Sequence, residues 1–279
     1  MAGSRERSVT QQIDLDAYFA RIGYSGPREA TLETLRAIHA LHPASIAFEN
    51  LDPLLRRRVR IDAGSIQQKL IHAGRGGYCY EMNGLFARAL KALGFEVAGL
   101  SARAMFGHLP GTTPRTHMLL KVETPQGPHI ADVGFGSRTL SAPLKLETDA
   151  EQMTPHGAFR LIPSGAHLEE QTKIEGVWQA LYRFSLEEQT SQDYEVANWY
   201  HSTNPDSPFM RRLMVSRFDG GMRLGLFDNR FTIHHGDGKT ERRDLASAND
   251  IAGVLENAFR IRLPAPREEL LAALARVMP

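Results

Sequence analysis

An α+β architecture is expected from a single change of hydrophobic period near Phe95. Apolar residues recur at three- and four-residue steps before it and alternate after it. Hairpin-type separators, Asp219-Gly220-Gly221 and Asp228-Asn229, punctuate the later apolar runs, since Gly and Asn accept positive φ. In order, Asp14 to Ile22 carries Leu15, Tyr18, Phe19 and Ile22 at helical spacing, closed by Gly23. Pro27 stands where an N1 proline would, ahead of a helix from Arg28 to Leu41 that Pro43 should stop; Leu32, Leu35 and Ile38 form its stripe. Met82, Leu85, Phe86, Ala89, Leu90 and Leu93 mark the strongest helix, with Gly94 at its C′ position. Strands are expected at Glu96–Ala104, Thr116–Val122, His129–Val133, Phe159–Ile162 and Trp178–Phe184. A short polar-aromatic helix over Asp193–Tyr200 follows, then strands at Arg212–Phe218, Met222–Phe227 and Phe231–His234. Two helices close the order: Asp250–Phe259, and one opened by Pro266 with Leu270, Leu271, Leu274 and Val277 inward.

The 279 residues suit one large domain or two to three small lobes sharing an interface. Thirty-three basic against 32 acidic side chains remove the electrostatic case for a nucleic-acid binder. Nowhere does the chain carry the ~20 apolar residues of a membrane span, and Met1 to Ser8 leads into Gln11-Gln12 without an apolar leader, so a cytoplasmic protein is expected. The single cysteine, Cys79, excludes an intramolecular disulfide and a multi-cysteine zinc site.

That thiol is either a small buried hydrophobe or a reagent. The run Gly74-Arg75-Gly76-Gly77-Tyr78-Cys79-Tyr80-Glu81 delivers it into the first turn of the strongest helix, on the inward face. Free N–H groups and the helix dipole favour a thiolate there. A base is available in Thr116 to Val122, which places His117 inside a strand. Pro125-Gln126-Gly127-Pro128 then turns the chain, and His129 to Gly134 returns. A hairpin tip between Thr124 and Pro125 sets His117 directly opposite Asp132; a slip of two would leave them diagonal neighbours. An Asp among Ile130, Ala131 and Val133 needs such a reason, because acidic residues are depleted in strands. The constellation reads as Cys79 nucleophile, His117 general base and acid, and Asp132 orienting the imidazole.

Rival chemistries have less support. There is neither a Gly-x-Ser-x-Gly elbow nor a Walker A sequence. His39 and His42 lack a metal-ligand frame and read as a surface pair; no metal is expected. His234-His235 reads as a turn-flanking pair, and Arg56-Arg57-Arg58 with Arg60 as a solvated face.

The segment Arg75-Gly76-Gly77-Tyr78-Cys79-Tyr80-Glu81-Met82-Asn83 resembles the active-site signature of the arylamine N-acetyltransferases, with Met82 where Leu is commoner. His42-Pro43 with Phe48-Glu49-Asn50-Leu51 resembles a second block, Ala47 replacing a frequent proline. Asp132-Val133-Gly134-Phe135-Gly136 resembles a third, and Ser202-Thr203-Asn204-Pro205 through Phe209 a fourth, all in family order. The resemblance implies a helical domain (1–96) carrying the cysteine, a β-barrel-like domain (97–205) carrying His and Asp, and an α/β lid (206–279), around a transglutaminase- or papain-like Cys-His-Asp core. It implies ping-pong transfer from acetyl-CoA through acetyl-Cys79 to an arylamine, hydrazine or arylhydroxylamine. Phe48, Phe135 and Phe209 would line the acceptor pocket, and Gly134 and Gly136 would admit the pantetheine or acetyl end. Arg75, Glu49 and Asn83 would hold the helix start and the triad in place. A thiol amidase or hydrolase of the same Cys-His-Asp order is the enzymatic alternative, and a non-catalytic CoA-binding relative the other. Nothing in the sequence sets an oligomeric state.

Overall fold

Helix α1 (Leu15–Ile22) begins where Asp14 accepts a hydrogen bond from the Ala17 N–H and ends at Gly23, φ +71°. The structure, a computed structural model, describes residues 13–107, 113–264 and 266–279; the expectation drawn from Met1 to Gln12 falls outside them. Helix α2 (Leu32–Ser45) departs from expectation at both ends. It starts at Thr31, whose hydroxyl accepts from the Thr34 N–H, and not behind Pro27. It also runs through Pro43, because Arg217 and Arg21 donate to the Ala44 and Ser45 carbonyls of the last turn.

Strand β1 (Phe48–Glu49) and helices α3 (Leu51–Leu54) and α4 (Ala63–Ile66) follow, the last running into a π-helical turn, Gln67–His72. Helix α5 (Cys79–Ala92) is the central pillar, with ten of its residues buried from Cys79 to Leu90. Strands β2 (Val97–Ala104), β3 (Arg115–Thr124), β4 (Gly127–Ala131), β5 (Leu144–Lys145), β6 (Gln152–Thr154), β7 (Gly157–Ser164), β8 (His167–Ile174) and β9 (Val177–Phe184) form one barrel-like sheet in the order β5-β4-β3-β2-β9-β8-β7-β6. Strand β8 has no counterpart among the expected elements: Glu169, Glu170, Gln171 and Lys173 hide its alternation, yet it pairs along its length with β7 and β9.

Helices α6 (Ser191–Thr203) and α7 (Pro208–Arg211) lead to β10 (Met214–Asp219), β11 (Met222–Phe227), β12 (Arg230–His234) and β13 (Thr240–Asp244), then α8 (Ala248–Asn257) and α9 (Arg267–Ala275). These four strands and β1 make a second antiparallel sheet, with Phe48 opposite Ser216. Three apolar clusters result. The first packs α1, α2 and α5 on Met118, Leu120 and Val122 of β3, the second fills the barrel-like sheet around Leu119, Phe159 and Tyr182, and the third joins α8 and α9 to the smaller sheet and to Leu51, Leu54 and Leu55. No helix among the described residues is long and apolar enough to cross a membrane.

Candidate active site

The loop before α5 is bound to β1 at close range. The Glu49 N–H donates to the Gly77 carbonyl at 2.9 Å and the Gly77 N–H to the Ala47 carbonyl at 3.2 Å. A Cβ on Gly76 would lie 2.1 Å from the Ala47 carbonyl oxygen, so only glycine permits this approach. Below it sits a buried ion cluster. Arg75 reaches Glu49 at 2.8 Å and Asp52 at 3.0 Å, and Lys69 reaches Asp52 and Glu81, each at 2.7 Å. Glu81 also accepts from the Tyr78 N–H at 3.2 Å, which caps the helix at the residue before Cys79. Burial raises the Glu81 carboxyl to about 7 despite the pull of Lys69. Burial acts the same way on Asp52, but Lys69 and Arg75 overcome it and hold that carboxyl below its usual range.

Cys79, at the first position of α5, is buried, and its Sγ lies 3.9 Å from the Thr116 carbonyl oxygen. The β2–β3 register explains why that carbonyl is there: Ala102 pairs with His117 and Arg103 with Arg115, leaving Thr116 as a bulge. The freed carbonyl also accepts from the Tyr80 hydroxyl at 2.5 Å and faces His201 Nε2 at 3.2 Å.

The β3–β4 hairpin is tighter than anticipated. Thr124 pairs with Gly127 across a two-residue loop, Pro125-Gln126, and Leu120 pairs with Ala131. His117 and Asp132 are therefore diagonal neighbours, not directly opposite. Thr124 fixes this turn: its hydroxyl donates to the Gly127 carbonyl at 2.8 Å and accepts from the Gln126 N–H at 3.2 Å. The diagonal still closes, with His117 Nε2 2.6 Å from Asp132 Oδ2.

Asp132 is fully buried and held on every side. Its Oδ1 accepts from Asn83 Nδ2 and from the Gly134 N–H, each at 2.9 Å, and its own N–H donates to His39 Nε2 at 3.2 Å. Asn83 donates as well to the Met118 carbonyl at 2.7 Å and accepts from the Val133 N–H at 3.0 Å. A Cβ on Gly134 would lie 3.0 Å from Cys79 Cα, so the Asp132 loop packs directly on the Cys79 backbone. Burial raises the Asp132 carboxyl, but the His117 charge and hydrogen bond, with those of Asn83 and Gly134, bring it net below its ordinary value. For His117, burial favours the neutral ring; Asp132, by charge and hydrogen bond, and the Cys79 sulfur outweigh it and push the imidazole up to about 10.

The three phenylalanines sit around this centre. Phe135 packs edge-on against the His117 ring at 4.8 Å, while Phe209 lies 6.4 Å from Phe48 and 5.5 Å from Tyr78, between ring centroids. Asn50 fixes the Phe209 segment by donating to the Phe209 and Arg212 carbonyls at 2.8 and 2.7 Å. Gly136, at φ +79°, lies against the Phe48 ring.

Several polar neighbours of this centre lie outside the residues expected from sequence. His201 packs against Tyr78, Tyr80 and Phe209, and burial lowers it to about 4. Its signal was present: Tyr194, Asn198 and His201 lie on one helical stripe. The Tyr182 ring lies tilted against His117 with centroids 5.0 Å apart, and its hydroxyl donates to Glu170 at 2.6 Å, whose buried carboxyl is driven up to about 8 by desolvation. His39 and His42 are not a surface pair; both are fully buried, packed edge-on to Phe86, with His42 Nδ1 2.9 Å from the Tyr18 hydroxyl. They extend the Leu35–Ile38 stripe by one turn, which places them inward. Of the basic run, Arg57 pairs with Glu269 at 2.6 Å, and Arg56, Arg58 and Arg60 are exposed.

Comparison with known proteins decides the family. Residues 31–268 match a family model described as N-acetyltransferase. The chain is 42% identical to the arylamine N-acetyltransferase of Escherichia coli K12, and 39% identical to the arylamine N-acetyltransferase / N-hydroxyarylamine O-acetyltransferase of Salmonella typhimurium, over 88% of each chain in both cases. The chain belongs to the arylamine N-acetyltransferase family. A solved structure of the Mycobacterium marinum arylamine N-acetyltransferase in complex with CoA superposes with a TM-score of 0.93 at 38% identity, covering 95% of this chain and 100% of that one. Membership makes the chain an acyltransferase and accounts for the mixed helical and barrel-like architecture it shares with these arylamine N-acetyltransferases.

Proposed function

We propose that the chain transfers an acetyl group from acetyl-CoA to an arylamine, arylhydrazine or arylhydroxylamine through an acetyl-Cys79 intermediate, by a ping-pong route. The relatives' activity supports the reaction class, and the CoA complex of the Mycobacterium marinum neighbour supports the donor. One observation carries the roles: His117 gives Nε2 to Asp132 at 2.6 Å, and the Cys79 sulfur is among the groups that raise its imidazole.

The raised His117 keeps its proton at neutral pH and stands as the acid beside Cys79, whose thiolate form is the nucleophile. The thiolate attacks the thioester carbonyl, and the Cys79 N–H, free of an intrahelical partner at the helix start, faces the developing oxyanion. When the tetrahedral adduct collapses, the CoA sulfur leaves with the His117 proton, giving CoA thiol, neutral His117 and acetyl-Cys79. The acceptor amine then attacks the acetyl group, His117 takes its proton, and Cys79 departs as thiolate. The acetylated amine leaves and the ion pair is restored. Asp132 holds the ring in the tautomer that both transfers need. Phe48, Phe135 and Phe209 form the acceptor's aromatic wall, and Gly134 and Gly136 border the acetyl end.

The division into 1–96, 97–205 and 206–279 is part of this reading. The three apolar clusters support it, with residues 47–55 lending cover to the third.

Intact-protein mass after brief exposure to acetyl-CoA without acceptor tests the route. One added acetyl group, mapped to Cys79, absent in Cys79→Ala and discharged by an aromatic hydrazine, is expected. CoA release without a stable adduct would move the reading to a thiol hydrolase, and no release at all would sink it for this donor.

A further inference from the structure

We propose that His39 is a positioning residue for the transfer reaction: as a neutral imidazole with an unprotonated Nε2, it anchors the backbone of Asp132 and so sets the carboxylate that orients His117. The inference rests on the triad reading above.

Asp132 stands one residue beyond the end of β4, where the ladder with β3 has stopped at the Leu120–Ala131 pair. Its N–H points out of the sheet toward α2 and donates to His39 Nε2 at 3.2 Å. The bond joins two elements remote in sequence, and both partners are fully buried, so water does not compete for that N–H. A backbone N–H can only donate. His39 Nε2 must therefore be the acceptor, and the ring proton is confined to Nδ1. Burial lowers His39 to about 4, which keeps the ring in that state across the neutral range.

The ring is itself fixed. It lies edge-on to Phe86 with centroids 5.5 Å apart at 88°, and Phe86 belongs to α5, the helix that begins at Cys79. The same helix sends Asn83 to Asp132 Oδ1. Asp132 is thus gripped by its carboxylate from α5 and by its backbone from α2, and the His39–Phe86 contact ties the two grips together. With the N–H anchor removed, the Thr139 hydroxyl still holds the Asp132 carbonyl at 2.8 Å and the carboxylate contacts remain, but the backbone loses its tie to α2, and the 2.6 Å bond to His117 would lose part of its fixed direction.

Two substitutions separate positioning from packing. In His39→Gln the side-chain carbonyl can still accept from the Asp132 N–H; in His39→Phe the ring volume is kept and the acceptor lost. His39→Phe is expected to slow single-turnover acetylation of Cys79 by roughly 10- to 100-fold, the cost of one buried unpaired donor, with the acetyl-CoA concentration at half-saturation unchanged. The pH profile of iodoacetamide alkylation of Cys79 should shift with it. His39→Gln should stay within about threefold of the parent, since one acceptor replaces another. Equal losses in the two variants, or a folded His39→Phe as fast as the parent, would overturn the proposal.

Should His39→Phe fail to fold, nitrogen-15 histidine NMR of the unmodified protein still decides. An Nδ1-protonated His39 throughout pH 5–9 is required, and a proton on Nε2 rules the anchor out. Asp132→Asn serves as the control for the reading beneath: if it acetylates Cys79 normally, the triad assignment itself falls. If it is crippled while folded His39→Phe is not, only the role of His39 does.

Discussion

Beneath the first turn of α5, Arg75, Lys69, Glu49, Asp52 and Glu81 form one buried polar cluster; beside that turn, Asp132, His117, Asn83 and His39 form another. Both are closed by bonds of 2.6 to 3.2 Å, and both fix the position of Cys79. The difference lies in their cations. Arg75 is raised further above its already high range by Glu49 and Asp52, so the lower cluster keeps its positive charges at any working pH. The cluster beside the thiol places a histidine in that role, and a histidine can give up its proton and recover it. Permanent charge makes a foundation, and a transferable proton makes a reaction.

Substitution should separate these roles. Asp132→Asn is expected to slow acetylation of Cys79 by roughly two to four orders of magnitude, measured per folded molecule, beyond any stability it loses with the His117 pairing. Arg75→Met should do the reverse in kind. It strands Glu49 and leaves Asp52 to Lys69 alone, at a cost of about 3–5 kcal/mol in urea unfolding, and the fraction that remains folded should still be alkylated at Cys79. A near-parental urea midpoint in Arg75→Met would erase the contrast.

The pH dependence sharpens it. His117 is raised from 6.5 to about 10, so its pairing contributes stability that is fully present below 6.5 and lost as pH climbs through about 10. The first half-reaction needs that proton for the departing CoA sulfur, so its rate should fall across the same upper limb. A single-turnover profile that already declines near pH 7 would contradict a His117 that is protonated at rest. The smallest effect belongs to Glu170, which lies behind Tyr182. Its carboxyl is raised from 4.5 to about 8, so the parent loses stability as pH rises between those values. Glu170→Gln should match the parent's Tm at pH 5 and exceed it increasingly toward pH 8.

How much of this was legible from sequence follows from what each signal depends on. Cys79 at a helix start was readable because the Met82–Leu93 periodicity and the preceding glycines are local. The His117–Asp132 pair was readable as a hairpin neighbour, but its register depended on Thr124 closing a two-residue turn, which apolar alternation does not report. Strand β8 was invisible since its partners, not its composition, make it a strand. The α2 boundaries were misplaced because Thr31 is a weaker-looking signal than Pro27, and because the arginines that sustain the last turn are remote in sequence. For His39 and His42 residue type points to the surface, whereas their position on the Leu35–Ile38 stripe points inward, and the stripe is the better guide.

Strand β1 has a consequence for the order in which the molecule can be completed. Phe48 and Glu49 hold the loop that delivers Cys79, yet their sheet partners are Ser216 and Val215 of β10. The apolar cover for Ala47, Leu51, Leu54 and Leu55 comes from the same late part of the chain. During synthesis from the N-terminus, the segment carrying the thiol therefore emerges long before the sheet that steadies it. The chain assembles this part of the support for Cys79 last, and a nascent polypeptide halted before residue 214 would carry the cysteine without a complete frame around it.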